Sequence, residues 1–87
     1  MNLGLQVKQS QHEARVPVTV LELVGEMDAS NVQLFQTEAQ QAVEAGTHYV
    51  LLDLSQLTYI SSGGLRAFFL LAKTLSAKNS LFSARQA

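Results

Sequence analysis

No cysteine occurs anywhere in the 87 residues, and tryptophan is equally missing. The first absence removes disulfide staples and thiolate chemistry, and it accords with a reducing compartment. Proline appears once, at Pro17, and six Lys and Arg stand against seven Asp and Glu, a net charge of −1. No stretch gathers the cations into the stripe that a phosphate backbone requires, so nucleic acid is not an expected partner. His12 and His48 lie in separate segments with no Cys nearby and no HxxxH-type spacing, which gives a metal site weak support and favours surface histidines. Long apolar runs are missing too. The longest, Ala67–Ala72, is far too short to span a bilayer, and the opening MNLGLQVKQ has no basic head followed by an apolar stretch. The expectation is a soluble, cytoplasmic protein without membrane insertion.

What is present is a globular composition, 47% hydrophobic and 15% charged, with no internal repeat or low-complexity tract. Residues 1–87 are read as one domain, small enough that only about two thirds of the unfolded surface can be buried. Stability should therefore be thin.

Residues 3–7, LGLQV, alternate loosely, and residues 16–24, VPVTVLELV, are rich in β-branched side chains; two strands are predicted, joined by the polar KQSQHEAR. Pro17 falls at the start of the second, where a missing N–H does least harm. Ser30 with Gln33 three residues on has the form of a capping box, so a helix is predicted to start there. Val32, Phe35, Ala39, Ala42 and Val43 give that helix one apolar face, and Gly46 is a natural stop. HYVLLDL then reads as a central strand buried on both faces, which completes a βαβ unit. After SQLTYI a second helix is predicted over Gly63–Leu75. Leu65, Phe68, Phe69, Leu71, Ala72 and Leu75 make it apolar around most of its circumference, more than one sheet face would need. Beyond Lys78 the signal fades to at most a short strand, Leu81–Ser83, and residues 79–87 are expected to be weakly ordered.

The stretch YISSGGL, residues 59–65, sets two hydroxyls at the mouth of the second helix. One serine, Ser61 or Ser62, suffices as an N-cap. A hydrolase nucleophile would need a glycine two residues before Ser62, where Ile60 stands, and a histidine base with its carboxylate. A nucleotide cradle would need the lysine of GxxxxGK, which is absent. Hydrolysis and nucleotide binding are thus weakly supported; the local pattern alone favours a cap, and a phosphorylation switch, in which another enzyme modifies the hydroxyl, is the fourth reading.

DLSQLTYISSGGLRAFFLLAK, with LVGEMDASNV upstream, resembles the STAS domain family of bacterial anti-sigma factor antagonists. Gly25, Glu26 and Asp28 match the family's GELD, with Met27 for the usual Leu. Asp53, Leu54 and Ser55 match its DLS, and Ser62, Gly64 and Leu65 its DSSGL or SSAGL turn. The resemblance implies an α/β fold, a mixed sheet with helices packed on one face, and a binding module that is not an enzyme and needs no cofactor. It implies that Ser62 is phosphorylated by an anti-sigma factor that is also a serine kinase, that the unphosphorylated form binds this kinase and the phosphorylated form lets go, and that a serine/threonine phosphatase resets the cycle. Asp28, Asp53, Ser55, Ser61, Gly63, Gly64 and Leu65 are then expected around the phosphosite or in the partner contact. Ser61 stands where many antagonists carry aspartate. Gly63 brings the turn closer to the DTGGL of STAS subunits that dock on the ATPase of lipid-transport ABC complexes, which is the alternative reading. Members usually continue through a further strand and a closing helix, here expected to be shortened or missing. An apolar second helix without its cover predicts a homodimer or a partly open, marginal fold.

Overall fold

The structure is a computed structural model that describes residues 4–13 and 15–85. Leu3 of the first expected strand, Ala14 of the expected linker, and Gln86 and Ala87 lie outside the described residues. Six elements follow in order: β1 (Leu5–Glu13), β2 (Pro17–Met27), α1 (Val32–Glu44), β3 (Tyr49–Ile60), α2 (Ser62–Ala77) and β4 (Leu81–Arg85). The strands form one sheet in the order β1-β2-β3-β4. β1 runs antiparallel to β2, while β2, β3 and β4 are parallel. Each parallel step is bridged by a helix, so α1 and α2 run the same way, side by side on one face of the sheet.

Alternation decides which face they cover. Leu21 and Leu23 of β2 and Val50 and Leu52 of β3 are fully buried and meet Phe35, Ala39 and Val43 of α1 and Ala67, Phe68, Leu71 and Leu75 of α2. The two helices lock together through Phe35 and Phe68, whose rings meet edge to face with centroids 5.1 Å apart. The predicted apolar face of α1 is the one buried.

Several elements depart from the sequence expectation. KQSQHEAR is not a linker up to Arg15: β1 runs on to Glu13, with Lys8 paired to Glu22 and His12 to Val18. An edge strand is held by main-chain bonds to its neighbour, and past the helices its side chains are free to be polar. SQLTYI likewise continues β3 to Ile60, with two register shifts that absorb the mismatch against β2. Gly25 lies at one of them, with φ +111, and a Cβ there would run into the Gly4 carbonyl. Nor is β3 covered on both sides. Val50 and Leu52 are buried while Leu51 and Asp53 are half-buried on the face without helices, although the central place of the strand is as expected.

The capping box at Ser30 and Gln33 does not form. Asn31 is the N-cap residue of α1 and makes no side-chain cap bond, its amide being engaged with the Asp28 N–H and the Glu26 carbonyl, while the Ser30 hydroxyl donates back to Asp28. At the other end Gly46 takes φ +81 and its N–H donates to the Val43 carbonyl at 3.0 Å, the expected stop. β4 runs two residues beyond the expected Leu81–Ser83 and pairs with Tyr49–Asp53. No described helix is long and apolar enough to cross a membrane.

Candidate functional site

The β3–α2 turn carries the serine pair, and the two hydroxyls are not equivalent. Ser61 is the N-cap: its backbone is extended (φ −82, ψ 169), and its Oγ accepts the Gly64 N–H at 3.2 Å. Its own N–H donates to the Met27 carbonyl at 2.9 Å, which fastens the turn to the end of β2. Ser62 is the first residue of α2, exposed, and its hydroxyl bonds to no other described residue. One serine holds the helix start while the next presents a free hydroxyl beside first-turn N–H groups that lack helical acceptors.

Two glycines follow, and only one is demanded by space. A Cβ on Gly64 would come within 2.8 Å of both Met27 Sδ and Ile60 Cγ1, so the helix starts in contact with the ends of β2 and β3. A Cβ on Gly63 would meet nothing nearer than Ser61 Oγ at 3.8 Å.

Asp28 reaches the same corner, because β2 and β3 run parallel and Met27 pairs with Ile60. Asp28 and Ser62 are each one residue past the Met27–Ser61 bond. The Asp28 carboxylate is tied down locally: Oδ1 accepts the Ser30 hydroxyl at 2.6 Å and the Ser30 N–H at 2.9 Å. Asn31 closes the loop, accepting the Asp28 N–H at 2.9 Å and donating to the Glu26 carbonyl at 2.9 Å. Hydrogen bonds from the Ser30 side chain, then from its backbone, hold the Asp28 carboxyl below its usual range, so it is ionised at neutral pH.

Asp53 and Ser55 are placed elsewhere. Ile60 lies seven positions beyond Asp53 along β3, on the order of 20 Å at strand rise. Asp53 Oδ1 accepts the Ser55 hydroxyl at 2.7 Å, and Oδ2 accepts from Arg85 of β4 at 3.1 Å. These bonds, that from the Ser55 hydroxyl first, lower its carboxyl pKa. Asp53 therefore stitches β3 to β4, far from the serine turn. By register it lies in a cross-sheet row, Lys8, Glu22, Asp53, Arg85, whose outer cations flank two inner carboxylates on the helix-free face.

Beside the turn, Leu54, Leu57, Tyr59, Ile60, Leu65 and Phe68 line an apolar groove of about 450 Å³. Leu65 was expected here. Tyr59, half exposed, was not, nor was Asn31, although the position of Tyr59 next to the serine turn pointed to it. Among the described residues no group of three His, Cys, Asp or Glu could hold a metal.

The STAS domain family model matches residues 8–82, and the chain belongs to that family. A curated relative from Bordetella bronchiseptica, BtrV, assigned by name as an anti-sigma factor antagonist, is 42% identical over 53 residues, 61% of this chain and 46% of BtrV. The chain thus spans about half the length of that relative. An anti-sigma factor antagonist from Mycobacterium paratuberculosis superposes with a TM-score of 0.81 at 19% identity, over 94% of this chain and 68% of the other. The antagonist SpoIIAA in its unphosphorylated form gives 0.71 at 17% identity, over 88% and 71%, and its phosphorylated Bacillus form 0.68 at 16% identity, over 86% and 68%. At those identities the likeness is one of fold.

Proposed function

We propose that this domain is an anti-sigma factor antagonist of the cytoplasm, a partner-switching module whose switch is phosphorylation of Ser62 by an anti-sigma serine kinase, reset by a serine/threonine phosphatase. The observation that carries the reading is the division of labour in the turn: Ser61 caps α2, leaving Ser62 exposed and unengaged at the first helical position. SpoIIAA, whose fold this chain shares, is described in both phosphorylated and unphosphorylated forms.

The physics of the two states agrees. A phosphoserine carries about −1.5 to −2 charges at neutral pH. At a helix N-terminus the dipole and free N–H groups favour that charge by about 0.3–1 kcal/mol, so the fold survives. A partner seated over the turn does not, because it would have to desolvate a dianion next to the ionised Asp28. The Tyr59 and Leu65 groove beside the turn supplies apolar contact area for the unphosphorylated complex.

Binding of a serine kinase of the anti-sigma type tests the reading by calorimetry. Wild type and Ser62→Ala should bind, while Ser62→Glu should bind at least tenfold more weakly with an unchanged circular dichroism spectrum. Equal binding by all three would remove the switch and move a constitutive docking subunit of an ABC-type ATPase to the front.

A further inference from the structure

The charges of this chain are segregated. Up to residue 53 there are seven Asp and Glu against Lys8 and Arg15, and from residue 54 onward there are four Lys and Arg and no acid. The fold turns that order into geometry, since α1 contains Glu38 and Glu44 and no base, while α2 contains Arg66 and Lys73 and no acid. At 3.6 residues per turn, Ser62, Arg66, Phe69 and Lys73 share the side of α2 turned away from the sheet, as Gln33, Thr37, Gln41 and Glu44 do on α1. Arg66 and Lys73 form no ion pair with any described residue; the one such pair is Arg85 with Asp53. Among the exposed large apolar side chains Phe69 is the most exposed at 72%, and Leu70, at 53%, borders a groove between the helices lined also by Phe35, Ala39, Val43 and Leu71.

We infer that the helical layer is the interface of a two-fold homodimer in which α1 of each copy lies on α2 of the other. Charge complementarity selects both the occupant and the axis. A two-fold parallel to the helices lays the acidic α1 over the basic α2, with Glu44 near the partner's Lys73 and the exposed Phe69 and Leu70 covered. A two-fold perpendicular to them lays α2 antiparallel on α2; centred on Phe69 and Leu70, it sets Arg66 against the partner's Lys73, cation on cation. Only the first arrangement closes the interface on itself with opposite charges facing.

Ser62 lies on that same side of α2, so this dimer and a partner seated over the serine turn compete for one face. Sedimentation velocity on the whole unphosphorylated chain tests the dimer without any kinase. The expected result at about 20 mM salt is a concentration-dependent monomer–dimer equilibrium that weakens at roughly 0.5 M, where the screening length falls to a few ångströms. Phe69→Ser and Lys73→Glu should each raise the dissociation constant at least tenfold with unchanged circular dichroism, and adding Glu44→Lys to Lys73→Glu should restore it. Because the chain has no cysteine of its own, Glu44→Cys and Lys73→Cys chains can be mixed and oxidised, and the mixed 44–73 disulfide should predominate. A monomer at every concentration at low salt, a dimer indifferent to these substitutions, or predominant 73–73 linkage would overturn the assignment.

Discussion

Gly64 rests directly against Met27: a Cβ at position 64 would stand 2.8 Å from the Met27 sulfur, and Met27 itself is fully buried. That contact sets how closely α2 approaches the end of β2, and with it where the serine turn sits relative to Asp28. Gly64→Ala should cost about 1–3 kcal/mol, the usual penalty of overpacking a filled site. Gly63→Ala, with room for its methyl, should be neutral or stabilise by up to about 1 kcal/mol. Urea unfolding midpoints of the two variants check this, and equal shifts would mean that the approach of α2 is not limited by Gly64.

The two serines should separate in the same assay. Ser61→Ala removes the oxygen that accepts the Gly64 N–H and should destabilise by about 1 kcal/mol. Ser62→Ala touches no hydrogen bond and should stay within about 0.5 kcal/mol of wild type. A larger loss at Ser62 than at Ser61 would reverse the assignment of cap and acceptor.

Acid should destabilise the domain partly through Asp28 and Asp53. Both have folded-state pKa values lowered from the ordinary 3.8, so their contribution is complete above that value and fades as pH falls through the lower native ones. Asp53→Asn should therefore lose stability at neutral pH and show a flatter decline on acidification than wild type. An unchanged pH profile would mean that the Ser55 and Arg85 bonds to Asp53 do not persist in solution.

Much of this architecture is legible in the order of residues. Val32, Phe35, Ala39 and Val43 recur at helical period, and the packed core needs that face, so α1 falls where the pattern points. The unusually apolar α2 follows the same logic, and the side chains that the sheet leaves uncovered, Leu65, Phe69 and Leu70, are the surplus apolar residues. Pairing was harder to read. The strand from Lys8 to Glu13 lacks any apolar alternation because its stability comes from main-chain bonds to β2, and those leave no mark on side-chain type. The Asp28 loop misled for a related reason: Ser30 and Gln33 have capping-box spacing, but an ionised carboxylate two residues earlier is the stronger acceptor for the Ser30 hydroxyl. At the candidate site, Ser61, Ser62, Asp28, Gly64 and Leu65 do gather at one corner. Asp53 and Ser55 do not, since a motif's spacing along the chain is silent on how far an unbroken strand carries its residues apart.

The switch proposed here needs Ser62, and not its neighbour, to receive the phosphate. The test is intact-mass spectrometry after incubation with ATP and an active candidate kinase of the anti-sigma type, with Ser62→Ala and Ser61→Ala alongside. Wild type and Ser61→Ala should gain one phosphate, about 80 Da on a single hydroxyl, and Ser62→Ala none. A gain that persists in Ser62→Ala, or no gain with a kinase that phosphorylates another antagonist, would contradict it.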